Sequence, residues 1–404
     1  MPSRSADASR VYLLVSSADA TGGVARASAS LANHLVDTHP VEMIALGSLA
    51  QRRHYPLDPR VEVTSGGDLA PGVFRSTDSS PGGHTGDERR QEQSALVDRV
   101  LPNVLRSLQP GVVISTRPLL HLAVADHAPS HCVAIAQDHA NLEFRRKNSS
   151  VELVARAIDR LDQFVVLTDA DAAEYRALFP QAADRIRVIR NAAPWPVLEE
   201  GGARPPVIVA AGELSRRKGF DRLVRAYRPV ARRRPEWRLH IYGEGPRRDQ
   251  LEQLIIDEGL SGQVVLKGRT REMEQVLEQA SIFALTSRFE GFPMVLVEAM
   301  SKGVPVVSFD CPRGPAEIVV DSVTGRLVND GDIAAFADAL MSLVDDDEVR
   351  RRMSEQSLRH ARQYQASRIV PMWTDLFVRL TGARRSGSLD GEPQTAGDEH
   401  PLDL

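Results

Sequence analysis

The sequence predicts an α/β protein made of two successive doubly wound domains. Three observations carry this. Short runs rich in aliphatic and β-branched residues alternate with stretches of helical periodicity, the pattern of βαβ units on a mainly parallel sheet. The alternation halts at residues 191–206, which hold Pro194, Pro196, Gly201, Gly202, Pro205 and Pro206, and then restarts. The chain has 404 residues, 42% of them hydrophobic, enough to fill two cores.

In order along the chain, residues 11–16 form a buried-strand run, 22–34 a helix and 41–45 a strand. Residues 65–92 are rich in Gly, Ser, Asp and Pro, lack periodicity and read as a flexible loop. An amphipathic stretch at 94–108 leads to strands at 111–115, 131–136, 163–168 and 186–190. After the break come a strand at 207–211, a helix at 220–233, a strand at 238–242 and a helix at 246–258. A strand at 264–266, a helix at 273–279, a strand at 282–286 and a helix at 293–301 follow. Strands at 304–309 and 325–328 and helices at 332–343 and 347–363 complete the second unit. A last helix near 368–380 precedes a polar tail from Gly382 whose composition predicts disorder.

Charge and cysteine usage narrow the function classes. With 50 Lys+Arg against 54 Asp+Glu, the net charge of −4 argues against a dedicated nucleic-acid binder. Cys132 and Cys311 form no CxxC pair, so neither a cysteine zinc site nor a disulfide framework is expected, and a reducing compartment fits. The first apolar run, Val11 to Val15, is too short for a signal-peptide core, and no uninterrupted apolar run of about 18 residues occurs. The expectation is a cytoplasmic protein, with contact to the inner face of the plasma membrane left open.

The most informative segment runs from Arg288 to Val307. A strand ends near Thr286, a loop carries Glu290 and Gly291, and Pro293 falls where the first helical residue is favoured. The helix then opens with unpaired N–H groups, a setting for ligand oxygens. Glu298 lies about 7.5 Å along the axis from Pro293, so Glu290 and Glu298 can reach two ends of one elongated ligand. The second segment, Ala211 to Asp221, places Arg216, Arg217 and Lys218 between a strand and a helix, either as a solvated basic turn or as a cradle for phosphates. The third, Asp19 to Arg26, offers Gly22 and Gly23 where backbone can approach a ligand. The fourth, Gln137 to Asn141, puts His139 at the carboxyl end of a strand, where α/β proteins bind ligands, although a lone histidine is often structural.

With Gly-Phe-Pro between its two glutamates and Gly303-Val-Pro-Val-Val307 after them, the Glu290-x7-Glu298 spacing resembles the retaining nucleotide-sugar glycosyltransferases of the GT-B fold, glycosyltransferase family 4. The resemblance covers nearly the whole chain and is strongest from 207 to 362. It implies two Rossmann-like domains facing across a cleft: an acceptor domain at 1–200 and a donor domain at 201–365. A helix at 366–381 would cross back onto the N-terminal domain near Trp373 and Phe377, followed by a disordered tail at 382–404.

Carried onto this sequence, the resemblance makes Glu290 the donor-sugar and catalytic carboxylate and Glu298 the ribose contact, with Gly291, Phe292 and the neighbours of Pro293 facing the sugar. Lys218 matches a phosphate-binding lysine. The arginine usual in that motif is replaced by Glu213, and Arg216 or Arg217 would have to supply the missing charge. Gly22 and Gly23 would border the donor phosphates and the acceptor. His139 would contact the donor sugar or steady the reacting centre. Thr168 and Asn191 fall in family-like stretches and read as structural, and Gly268–Arg269 would neighbour the base.

Other motifs are set aside or left open. Tyr242-Gly-Glu-Gly-Pro246 lacks the third glycine of a dinucleotide fingerprint, Arg248 standing in its place, so NAD is unsupported. Asp345-Asp-Asp347 sits between two helices, where Asp is an N-cap residue. No metal or other cofactor is expected. The triplet Arg145-Arg-Lys147 is either a solvated face or a contact for a phosphorylated acceptor or an anionic membrane. Asp310 to Ile318 resembles a variant found with UDP-linked sugars, and either binds ligand or turns the chain. The function expected is transfer of a hexosyl unit from a nucleotide-sugar, UDP-linked by first choice, to an acceptor hydroxyl. The acceptor would be a glycan or lipid-linked molecule of the cell envelope. A non-catalytic scaffold that binds sugar nucleotide, suggested by Glu213, and a nucleotide-sugar epimerase are the alternatives.

Overall fold

Each half of the chain forms a wholly parallel sheet, because its central strands are apolar on both faces and its strands are joined by helical crossovers. The computed structural model describes residues 9–47, 53–65 and 97–386. The N-terminal sheet has β1 (Arg10–Val15), β2 (Val41–Ala45), β3 (Glu62–Ser65), β4 (Gly111–Ser115), β5 (Cys132–Gln137), β6 (Gln163–Val166) and β7 (Ile186–Val188) in the order β3-β2-β1-β4-β5-β6-β7. The C-terminal sheet has β8 (Val207–Ala211), β9 (Arg238–Tyr242), β10 (Val264–Gly268), β11 (Ile282–Leu285), β12 (Val306–Asp310) and β13 (Gly325–Asn329) in the order β10-β9-β8-β11-β12-β13. The strand order reverses between β1 and β4 and between β8 and β11. Crevices for ligands open at such switch points, beyond the strands' carboxyl ends.

Several boundaries differ from the sequence reading. Edge strand β3 escaped it, because Glu62-Val-Thr-Ser65 is short and only half-buried. Ser65 therefore ends a strand, and the rest of the expected loop lies outside the described residues. The last helix, Ala366–Arg385, runs through Gly382 instead of ending before it, and the remainder of the expected tail is likewise outside the described residues. That helix buries Ile369, Trp373, Leu376, Phe377 and Leu380 among residues of β1, β4 and β5. Arg384 binds Asp162 at 2.7 Å and Arg379 reaches Gln163 at 2.5 Å. In space the helix therefore belongs to the N-terminal sheet.

The segment 310–318 turns out to join the two halves. Glu317 accepts hydrogen bonds at 2.9 Å from the N–H groups of Asp169 and Ala170, capping the helix Asp169–Leu178 of the other half. Arg313 pairs with Glu174 on the same helix. The linker is also tied down: Ala193 N–H donates to Tyr364 O at 2.7 Å and Leu198 N–H to Ser301 O at 2.9 Å. Among the described residues no helix is long and apolar enough to cross a membrane.

Candidate active site

The two switch points face each other across a cleft of about 740 Å³, within the range of sites that enclose small ligands. Its N-terminal wall carries Gly22 and Gly23 after β1, Arg117 after β4 and His139 after β5; its C-terminal wall carries Lys218, Glu290 and Glu298. A Cβ built on Gly22 or Gly23 would meet nothing within 4 Å, so the space beside that loop is open to a ligand.

On the C-terminal wall the loops after β8 and β11 are pressed together at Gly219. Its φ is +65°, and a Cβ there would lie 2.1 Å from Thr286 O, so a larger residue would force the loops apart. Their contact brings Lys218 Nζ to 2.5 Å from Glu290 Oε1 and Arg217 Nη1 to 3.3 Å from Glu290 Oε2. The Ser287 hydroxyl donates to Oε1 at 2.6 Å. Burial alone would raise the Glu290 pKa; Lys218, Arg217 and Ser287 outweigh it and hold the carboxyl below its ordinary value. The buried Glu290 is thus a fixed carboxylate. Arg288 points elsewhere, bound to Asp221 at 2.7 Å.

Gly291 brings the walls into contact. A Cβ on it would sit 2.8 Å from the backbone oxygen of His139, and Asn141 Nδ2 donates to Glu290 O at 2.7 Å. The loop bearing His139 is held by Asp138, which takes the Arg145 Nε at 3.1 Å on both oxygens and the Tyr175 hydroxyl at 2.8 Å. Burial would raise Asp138, but Arg145, His121 and Tyr175 bring it down to about 2. Burial, helped by Arg117 and Arg145 against Asp138, pushes His139 down to about 4. A neutral imidazole at pH 7 follows, with an Nε2 that has no hydrogen-bond partner among the described residues.

Glu298 forms a second link across the cleft. Its carboxylate, 2% exposed, lies 3.0 Å from Arg26 Nη1. The Arg26 guanidinium also lies over the rings of Trp195, 4.4 Å from the centroid, and Tyr55, 5.3 Å away. Burial raises the Glu298 carboxyl above its usual pKa, with Arg26 and Lys218 acting the other way. Pro293 is the N-cap of the helix Met294–Ser301 and not its first residue, because its ψ of 86° is outside the helical range. Pro293, Phe292 and Gly291 nevertheless all line the cleft.

The remaining candidates separate cleanly. Glu213 is exposed in the cleft. Thr168 caps the helix Asp169–Leu178, and Asn191 accepts from Gln137 Nε2 at 3.1 Å. Asp346 caps the helix Asp347–Ala361. The turn at 242–246 hydrogen-bonds to the loop after β8, Leu214 N–H reaching Glu244 O at 3.0 Å. The basic triplet is not one solvated face: Arg145 is buried on Asp138, and Lys147 pairs with Glu143 at 2.6 Å. No residue of 310–318 lines the cleft. Among the described residues no group of three or more His, Cys, Asp or Glu side chains could hold a metal ion.

Sequence reasoning passed over Arg26, Tyr55, Arg117 and Trp195, all in the cleft wall. Arg26 and Arg117 had a usable signal. Arg117 stands directly after β4 and Arg26 in the first turn of the helix that follows β1, the two strands at the switch point. Tyr55 and Trp195 come from irregular segments with none.

Residues 199–360 match the family model described as glycosyl transferases group 1. An exopolysaccharide phosphotransferase of Streptomyces coelicolor is 30% identical over 93% of this chain and 41% of its own length. A poly(ribitol-phosphate) alpha-N-acetylglucosaminyltransferase of Staphylococcus aureus is 31% identical over 41% of this chain and 34% of its own. The chain thus spans well under two thirds of these relatives' length. Among solved structures, a UDP complex of a TarM mutant from S. aureus superposes with a TM-score of 0.77 at 16% identity, over 91% of this chain and 99% of that one. The pneumococcal O-GlcNAc transferase GtfA with UDP and GlcNAc gives 0.71 at 16% identity, over 93% and 99%. The fold is GT-B, and the match to the glycosyl transferases group 1 model lies in its C-terminal half.

Proposed function

We propose that this chain, a GT-B fold whose C-terminal half matches the glycosyl transferases group 1 model, is a retaining family 4 glycosyltransferase. It moves a hexosyl unit from a nucleotide-sugar, UDP-linked by first choice, to an acceptor hydroxyl in cell-envelope polysaccharide, glycolipid or lipid-linked glycan synthesis. The observation that carries this reading is the cluster of Lys218, Arg217 and Glu290 at one switch point, facing His139 at the other wall. Cations beside a fixed carboxylate suit a reaction in which a diphosphate leaves an electron-poor sugar carbon. The relatives' names, an exopolysaccharide phosphotransferase and a poly(ribitol-phosphate) alpha-N-acetylglucosaminyltransferase, support the envelope setting, and the UDP complexes of similar fold support that nucleotide.

In this reading the donor occupies the C-terminal wall and the acceptor the N-terminal wall. Glu298 takes the ribose hydroxyls, releasing Arg26. Lys218 and Arg217 turn toward the diphosphate, bordered by the backbone at Gly22 and Gly23. Glu290 and neutral His139 position the sugar, with the backbone at Gly291 and Phe292 beside it. The bond between the anomeric carbon and the phosphate oxygen breaks toward an oxocarbenium-like state, and Lys218 and Arg217 stabilise the charge that develops on the phosphate. The acceptor oxygen bonds to the same face of that carbon, and its proton passes to a phosphate oxygen, so configuration is retained. No step is assigned to a metal, since the two cations neutralise the leaving group.

Glu213 favours a second reading, a scaffold that binds sugar nucleotide without turnover, because it sets a negative charge in the cleft. A panel of UDP-, GDP- and ADP-sugars tests both by thermal stabilisation and donor hydrolysis. A ligand at about 100 times its Kd adds about 2.7 kcal/mol. One nucleotide-sugar should stabilise wild type selectively and Lys218→Ala much less. No shift with any donor would overturn the reading, and binding without hydrolysis or transfer would establish the scaffold.

A further inference from the structure

The cleft holds a cation that the chemistry above leaves unused. Arg117 follows β4 at the switch point of the N-terminal sheet, as Lys218 follows β8 in the other. It is exposed to the cleft at the N-cap of the helix Pro118–His127, and its side chain makes no capping bond. Among the described residues no ion pair or hydrogen bond engages its guanidinium. The carboxylate whose field it feels, Asp138, is fully occupied by Arg145 and Tyr175. Asp138 therefore pairs with Arg145 and makes no contact with Arg117. Although open to the cleft, Arg117 is walled by protein, and that enclosure together with the nearby Arg145 charge lowers its pKa; an anion paired with the guanidinium would offset that penalty.

We propose that Arg117 recognises an anionic group, a phosphate or carboxylate, carried by the acceptor. The inference rests on the two-substrate reading above. The wall on which Arg117 stands favours an anion on the acceptor over one on the nucleotide. Arg117 lies on the N-terminal wall with His139, whereas Lys218 and Arg217, the cations assigned to the diphosphate, lie on the opposite wall. A guanidinium presents paired donors that match two oxygens of a phosphate or carboxylate. An anion bound beside His139 would set the acceptor's position relative to the donor sugar, so Arg117 acts in acceptor binding and not in bond breaking.

The test fills the donor side first. UDP is added to saturation, and methyl phosphate is then titrated calorimetrically into wild type, Arg117→Gln and Arg146→Gln, the last removing a nearby exposed charge outside the cleft lining. Methyl phosphate should bind wild type and Arg146→Gln alike and lose tenfold or more with Arg117→Gln. Equal binding by Arg117→Gln, or none by wild type, overturns the proposal. Failure of UDP itself to bind counts against the donor reading, and the same comparison on the free protein still decides Arg117. A second arm compares UDP-glucuronate with UDP-glucose. If Arg117→Gln weakens only the glucuronate, the anion belongs to the donor sugar and the acceptor assignment falls.

Discussion

Arg26 and Glu298, 272 residues apart, bridge the two halves of the chain at 3.0 Å. The arginine comes from the helix after β1 and the glutamate from the helix after β11, so one ion pair spans both switch points. The glutamate is nearly dry, and the Trp195 and Tyr55 rings flank the partly buried guanidinium. Removing one partner of such a pair costs more than never having made it, because the other charge stays buried.

Arg26→Met should therefore lose about 3–5 kcal/mol of unfolding free energy and increase the radius of gyration of the ligand-free protein in small-angle scattering. Glu298→Gln combined with it should recover part of the stability, since no buried charge remains. Equal stability and size for Arg26→Met and wild type would show that the contact holds nothing together.

Lys218→Ala should move the pH dependence of kcat/KM. Lys218 is the strongest influence opposing burial at Glu290, so its loss raises the carboxyl pKa. A carboxylate needed in its ionised form gives activity that falls on the acid side, so the acid limb should move to higher pH in the variant. Glu290→Gln should instead cut kcat by about 10²-fold or more while donor affinity changes little. If that variant mainly weakens donor binding, the carboxylate serves affinity and not turnover.

The strands were legible because nearly all are short, buried runs between helical stretches, and β8 and β9 match their expected ranges residue for residue. Edge strand β3 was not, since a half-exposed run of four residues carries no alternation strong enough to read. In the site, Lys218 and Glu290 stood out through their motifs, and the structure brings them within 2.5 Å. Arg26 and Arg117 were in plain view but gained meaning only once parallel pairing set β1 beside β4. The burial of Arg145 was beyond reach, because its partner Asp138 lies in a loop seven residues earlier and nothing local marks the pair.

Removing the negative charge of Glu213 should tighten nucleotide-sugar binding. The side chain is exposed in the cleft that Lys218 and Arg217 line, and an exposed charge is worth up to about 1 kcal/mol. Glu213→Gln should lower the Kd for the selected donor by about 2- to 5-fold, measured calorimetrically. Weaker binding would show that Glu213 itself contacts the donor.

Asp171 should make stability depend on pH in a way that Asp171→Asn abolishes. Burial, with a contribution from Asp138, pushes its carboxyl up to about 6 against the hydrogen bonds from Thr168 and the Leu142 N–H. In the unfolded chain the same group titrates near about 3.9. Below that value both states are protonated and the native contribution is complete. As pH rises toward 6 the unfolded chain ionises freely while the native carboxyl resists, so stability drains away between about 4 and 6 and then levels off. His121 and His139, whose burial lowers them to about 3 and about 4, act in the opposite sense over a range that contains this one. They are common to both proteins, so the difference in urea unfolding free energy, wild type minus Asp171→Asn, isolates the carboxyl. That difference should fall from pH 4 to pH 6 and stay flat above; a difference independent of pH would mean that Asp171 titrates in the folded protein as it does in the unfolded chain.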